Sequence, residues 1–136
     1  MFSHAKEAQK FWAKKTVFER KEILCTVLEL FKHKKERLAQ SISAEMGMPI
    51  SEAREEVQNG YNYFQGYLDI CEAALNPEIT KETVSELHRV FYEPKGVIAA
   101  IAPWNYPFSM CIWTSIQALL AGNCVMFKTS KEVIVT

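Results

Sequence analysis

No charge of either sign dominates this sequence: 16 Lys and Arg face 16 Asp and Glu across 136 residues. A nucleic-acid-binding surface needs a basic excess. The one basic cluster, KHKKER at Lys32 to Arg37, lies on a helical stretch and reads as a solvated face. Long apolar runs are missing as well. No segment reaches the length of a membrane span, and the N-terminus, MFSHAKEAQKF, lacks the apolar core of a secretory signal. The expected location is cytoplasmic, with neither membrane nor nucleic acid as partner. Zinc or redox cysteine pairs are absent too: Cys25, Cys71, Cys111 and Cys124 fall singly in apolar stretches, where a free thiol behaves as a small hydrophobe. His4, His33 and His88 are scattered, so no metal site is expected. No internal repeat or low-complexity linker breaks the chain.

What is present is a chain with 49% apolar residues, long enough for one modest core. Helical spacing comes first. Phe2, Ala5, Ala8, Phe11 and Trp12 predict a helix ending near Lys15. Thr16 and Glu19 form a T-x-x-E capping box for the next, with Val17, Ile23, Leu24, Val27, Leu28 and Phe31 on its apolar stripe. A pause is expected near His33. Leu38, Ala39, Ile42 and Met46 continue the pattern until Gly47 and Pro49 stop it. Ser51 is expected to open a further helix, with stripe Ala53, Val57, Tyr61, Phe64, Leu68 and Cys71, ending at Asn76-Pro77. Gly60 and Gly66 inside it suggest close packing. From Thr83 to Tyr92 the β-branched and aromatic content predicts one strand, followed by a turn at Glu93 to Gly96.

The stretch from Gly96 to Lys131, GVIAAIAPWNYPFSMCIWTSIQALLAGNCVMFKTSK, organises the rest. Val97 to Ala102 is short enough for a buried strand. Phe108 to Ala121 is long enough for a helix, which Gly122-Asn123 ends in a left-handed turn. Cys124 to Phe127 is a second strand, closing at Lys128. Two strands joined this way run parallel, and ligands in such folds sit beyond their carboxyl ends. The polar groups PWN and KTSK are therefore expected on one edge of the sheet.

Pro103 and Pro107 clamp a three-residue turn, because proline fixes its own φ and restricts the residue before it. Asn105 sits inside that clamp. Its amide carries two donors and no charge. A rigid neutral donor at a strand end can stabilise an oxyanion formed by attack on a carbonyl. Equally, Asn105 could cap the helix that starts near Pro107 or make a local turn bond.

PWNYP preceded by GVIAAIA, with ALLAGNCVMFK after it, resembles the NAD(P)-dependent aldehyde dehydrogenase superfamily. Weaker similarity covers most of the chain, including RKEILCTVLELFKHKKERLAQSISAEMGMPISEAREEV with its Glu-Met-Gly-x-Pro turn. The resemblance implies an α/β fold: N-terminal helices, one oligomerisation-type strand, then the start of a Rossmann-like parallel β-α-β sheet. It implies that Asn105 donates to the oxyanion formed on the substrate. It implies contacts to NAD or NADP from Ile101, Ala102, Pro103, Trp104, Asn105, Lys128, Thr129, Ser130 and Lys131, with Lys128 at the adenosine ribose. The substrate would be a small aldehyde, and the complete enzyme a homo-oligomer. Where the family often has Lys-Pro-Ser-Glu, this chain has Lys128-Thr129-Ser130-Lys131. Lysine cannot accept bonds from ribose hydroxyls, and its charge would attract a 2′-phosphate, so tolerance of NADP is expected. Alternatively Lys131 is an ordinary surface lysine.

The family also needs a cysteine nucleophile, a glutamate base and a glycine-rich stretch, and nothing here resembles those segments. Cys111 and Cys124, in apolar surroundings, are poor substitutes. Residues 1–136 are thus expected to be a partial N-terminal, cofactor-binding domain without the catalytic domain, inactive in isolation. The alternative is a non-catalytic helical interaction module derived from the same fold.

Overall fold

A computed structural model describes residues 1–133. Four helices come first: α1 (Phe2–Trp12), α2 (Val17–Lys32), α3 (Lys35–Met46) and α4 (Ile50–Leu75). Strands β1 (Glu78–Glu82) and β2 (Leu87–Val90) follow, then β3 (Val97–Ile101), α5 (Pro107–Leu120) and β4 (Cys124–Lys128). The α/β class and its order, helices first and a parallel β-α-β unit last, are those expected.

Local chemistry explains most boundaries. The capping box before α2 is complete: the Thr16 hydroxyl accepts from the Glu19 amide, and the Glu19 carboxylate accepts from the Thr16 amide at 2.7 Å. Helical pairing breaks between Lys32 and Lys35, where the pause was expected. Gly47 ends α3 at φ 69°, in the left-handed region that glycine enters at little cost. Helix α4 opens at Ile50, one residue before Ser51, with Pro49 at its N-cap, since proline's fixed φ suits a helix entry.

The main departure lies between Pro77 and Tyr92. Instead of one strand there is an antiparallel hairpin, with Glu78 opposite Val90 and Glu82 opposite Leu87. Thr83 to Glu86 is its turn. The Thr83 amide donates to the Glu86 carbonyl at 2.8 Å, and the Glu86 amide donates to the Thr83 hydroxyl at 3.0 Å. Thr83 thus acts through its hydroxyl as a turn residue. The segment EITKE hides its strand character behind charge, and every residue of both strands is exposed.

The core is a helical seam. Ala53, Val57, Phe64, Leu68 and Cys71 of α4 pack with Leu24 and Leu28 of α2, Ala39 and Ile42 of α3, and Phe108, Ile112, Ile116 and Leu120 of α5. Gly60 allows α5 to approach. A Cβ at that position would lie 2.5 Å from the Phe108 ring, a contact that real atoms do not make. Gly66 has open space around it, so the close-packing role belongs to Gly60 alone.

Helices α1 and α2 also hold the far end of α5. The Arg20 guanidinium is buried, where the sequence stripe placed Ile23, which is exposed. Arg20 Nε donates to the Leu120 carbonyl at 2.8 Å, and Trp12 Nε1 donates to the Leu119 carbonyl at 2.8 Å. The Leu120 carbonyl is one that a helix end leaves unpaired, whereas the Leu119 carbonyl also accepts from the Gly122 amide at 3.0 Å. Gly122 then turns the chain at φ 87° into β4. The Asn123 side chain ties the turn to the sheet: Nδ2 donates to the Ala118 carbonyl, and Oδ1 accepts from the Gly96 amide at 2.9 Å. In this way the two strands and their connecting helix are fixed before any ligand is considered.

Candidate active-site edge

Strands β3 and β4 pair in parallel, Val97 opposite Cys124 through Ile101 opposite Lys128. One further bond, from the Ala102 amide to the Lys128 carbonyl at 3.1 Å, carries the pairing past the strand end. The two polar groups therefore leave the sheet side by side, as the apolar pattern implied. Ala102 is buried beneath them, while Ile101, Pro103, Trp104 and Asn105 are exposed.

The structure gives Asn105 no helix-capping role. The N-cap of α5 is Tyr106, without a side-chain capping bond, and Pro107 takes the first helical position. The Asn105 amide has no hydrogen-bond partner among the described residues. It is neither a helix cap nor a turn-forming group; its donors are free at the sheet edge.

The orphan amides at the start of α5 are met from another helix. Glu56 of α4 is 3% exposed, and its Oε1 accepts from the Ser109 amide at 2.8 Å. A carboxylate suits the positive end of a helix dipole. Its other oxygen, Oε2, is buried without a partner. Burial pushes the Glu56 carboxyl above the usual carboxylate range, only partly offset by the bonds from Ser109. This has a measurable consequence. A raised folded-state pKa means that the folded protein holds this proton more tightly than the unfolded one. The contribution is therefore fully present below the unfolded value of about 4.3 and is lost as pH rises through the folded value. Glu56→Gln retains an acceptor for Ser109 and does not titrate. Urea midpoints from pH 4 to 8 are expected to show the parent losing stability relative to Glu56→Gln as pH rises. Parallel pH profiles would exclude the assignment.

On the other side, Lys128 Nζ donates to its neighbour's carbonyl, that of Thr129, at 3.2 Å. Thr129 Oγ1 donates to the Val133 carbonyl at 2.6 Å, so a hydroxyl bond replaces the restraint that a proline would give this turn. Ser130 Oγ accepts from the Glu132 amide at 3.3 Å. Lys131 is open to solvent, with Nζ 3.5 Å from the Glu132 carboxylate. Neither Cys111 nor Cys124 is an activated thiol: burial raises both, and a bond with Ser115 only partly counters this at Cys111.

The sequence reading missed a cavity of about 580 Å³ beside the turn, whose wall includes Glu52, Glu55, Glu56, Tyr63, Tyr106 and Trp113. Tyr63 and Trp113 meet edge to face, 5.0 Å between centroids. Glu52, Glu55 and Glu56 at i, i+3 and i+4 share one helix face; that spacing was the available signal. The apolar stripe beside it drew attention away.

A parallel β-α-β unit with a proline-clamped asparagine after one strand and a lysine at the end of the other has Rossmann-like topology. Residues 1–136 match the model of the aldehyde dehydrogenase family, and the chain belongs to that family. A protein of Mycobacterium ulcerans, named for NADP(+)-linked succinate-semialdehyde dehydrogenase, is 34% identical over 133 residues, covering 96% of this chain and 26% of the relative. Among solved structures, an aldehyde dehydrogenase from Brucella melitensis biovar abortus superposes with a TM-score of 0.90 at 26% identity, over 97% of this chain and 27% of that one. A succinic semialdehyde dehydrogenase from Streptococcus pyogenes, solved with NADP+, gives 0.87 at 25% identity, over 97% and 29%. The chain thus spans about a quarter of the length of the curated relative.

Proposed function

We propose that the chain forms the front of an NAD(P)-dependent aldehyde dehydrogenase, supplying one oxyanion donor and the adenosine side of the cofactor site. The observation that carries this reading is the pairing of Ile101 with Lys128, which places a free Asn105 amide and the Lys128–Lys131 turn on one edge. The residues present fit a nicotinamide dinucleotide: Lys128 and Lys131 offer charge, Thr129 and Ser130 offer hydroxyls, and the exposed Trp104 offers an apolar face. When bound, such a cofactor accepts the hydride that leaves the substrate. The chain's part is to hold that cofactor and to donate from Asn105 where negative charge develops on the carbonyl oxygen. The nucleophile and base would come from the family's later segments. The exposed hairpin, with Ile79, Leu87 and Val90, and the exposed Phe91 and Tyr92 that follow it support assembly into a homo-oligomer.

Lys131 decides between the cofactors in this reading. An ion pair at 4 Å with an effective dielectric near 20 is worth on the order of 4 kcal/mol before costs. Here Glu132 shares the charge and solvent screens it, so a net ~1.4 kcal/mol, or tenfold, is the expected scale. Cofactor affinities of the full-length enzyme provide the test. Lys131→Glu is expected to shift the NADP-to-NAD preference about tenfold towards NAD. An unchanged ratio removes Lys131 from phosphate recognition.

A further inference from the structure

Strands β3 and β4 carry little information about their own alignment. VIAAI and CVMF are apolar throughout, so no alternation of polar and apolar residues tells one register from the next. Register is weakly specified where the pattern offers no polar face. Yet register decides what stands at the cofactor edge. A slip by one residue moves Lys128 by about 3.3 Å along the sheet relative to the Asn105 turn. Reacting groups tolerate far less misplacement than that.

The alignment is set at the opposite end of the sheet. Asn123 directly precedes β4, is 6% exposed and uses both ends of its carboxamide. Oδ1 accepts from the Gly96 amide at 2.9 Å, and Nδ2 donates to the Ala118 carbonyl at 3.1 Å. The backbone repeats both links. The Asn123 amide donates to the Ala118 carbonyl and the Cys124 amide to the Gly96 carbonyl, each at 2.9 Å. Two successive residues thus hold both polar groups of Gly96, directly before β3 begins. Gln9, Trp12 and Arg20 also reach this corner, but there they bond to the carbonyls of Gly122, Leu119 and Leu120. Of these four side chains only that of Asn123 also reaches across to the start of β3. A register shifted by one residue would leave its buried carboxamide half unpaired, which is costly.

We infer that Asn123 is a positioning residue for the cofactor edge: its carboxamide fixes the β3–β4 register, and with it the offset of the Lys128–Lys131 turn from Asn105. The inference rests on the aldehyde dehydrogenase reading, which gives that edge its use. The paired residues between, Val97 with Cys124 through Ile101 with Lys128, carry the alignment along the ladder.

The test is NADP+ titration of the active enzyme, each variant expressed as a ratio to the parent at the same pH. Asn123→Ala removes both bonds and is expected to weaken NADP+ about tenfold at every pH. Asn123→Asp replaces both only while the new carboxyl is protonated, because an ionised carboxylate accepts but cannot donate. The fold favours that neutral form, so the carboxyl titrates above its ordinary value of about 3.9, and the bond to Ala118 is lost as pH rises through the folded value. Asn123→Asp is therefore expected to approach the parent near pH 5 and to fall about tenfold below it near pH 8. Hydrogen exchange of residues 97–102 is expected to quicken in Asn123→Ala, although the Ala102 amide lies at the far end of the ladder. Ile42→Val, a truncation of a completely buried side chain in the helical core, is the control. It is expected to lower the urea midpoint and leave NADP+ affinity and that exchange unchanged. If Asn123→Ala does not fold, the pH series of Asn123→Asp decides. Parent-like affinity in Asn123→Ala, an equal loss in Ile42→Val, or an Asn123→Asp ratio that does not change with pH would each overturn the inference and leave the redox reading standing. A parent enzyme that binds no NADP+ would overturn that reading, and the inference with it.

Discussion

Phe64→Ala is expected to cost about 3–5 kcal/mol of folding stability, the largest loss for a single truncation in this chain. Phe64 is completely buried and is the bulkiest of the fully enclosed side chains. It is also a link in an aromatic series across three helices. The ring of Phe31 on α2 meets Phe64 of α4 edge-on at 6.3 Å, and meets Phe108 of α5 at 5.3 Å. Such pairs add to the area term. Truncation removes the transfer energy of the ring and leaves a cavity that close-packed neighbours cannot fill. A typical domain holds only about 5–15 kcal/mol in total, so loss of a cooperative transition is within the expected range. Phe11→Ala is the control: it lies on α1 and is largely exposed, so a change within about 0.5 kcal/mol is expected. Urea denaturation followed by circular dichroism measures both. A Phe64→Ala loss below about 1 kcal/mol would mean that the seam between α2, α4 and α5 is looser than its geometry.

That seam matters beyond stability, because Phe108 and Ser109 begin the helix that follows the Asn105 turn. Gly60 lets the Phe108 ring sit against α4, and Glu56 holds the Ser109 amide. The turn is thus fixed by prolines within its own sequence and by α4 from outside. The first restraint could be read directly, since proline acts through covalent geometry. The second could not. Val57, Phe64 and Leu68 announced the buried face, but the same periodicity gave no reason to bury Glu56. A carboxylate becomes tolerable there only because a helix N-terminus from 53 residues away supplies donors. Arg20 was hidden for the same reason: its partners are the carbonyls of Leu120 and Lys15, and backbone acceptors leave no trace in side-chain patterns. The hairpin at Glu78 to Val90 was half legible. The stretch from Thr83 to Tyr92 around its second strand carries β-branched and aromatic residues, whereas its first strand is largely charged and exposed, so neither burial nor alternation marks it. The parallel unit was read nearly to the residue, because short apolar runs, a left-handed glycine and prolines all act locally.

If the proposed aldehyde dehydrogenase reading holds, Asn105→Ala is expected to lower turnover of the active enzyme by about 10²–10³, equivalent to roughly 2.7–4 kcal/mol of transition-state stabilisation. The expectation rests on the freedom of the amide. It makes no bond within the described residues, so its removal breaks no turn and uncaps no helix. A purely structural asparagine would show its loss in stability, whereas this one should show it only where negative charge develops on the substrate oxygen. The substitution is therefore expected to leave the urea midpoint of the chain almost unmoved, within about 0.5 kcal/mol. Cofactor affinity should change little, since Trp104 and the Lys128–Lys131 turn are untouched. KM should change less than kcat, because an interaction that strengthens on the way to the transition state acts on the chemical step rather than on uniform binding. Steady-state kinetics with a short aliphatic aldehyde, beside cofactor titration and denaturation of the same variant, separates these contributions. Parent-like turnover with a folded protein would remove Asn105 from the oxyanion role. A loss confined to stability would instead make the clamped turn a structural device.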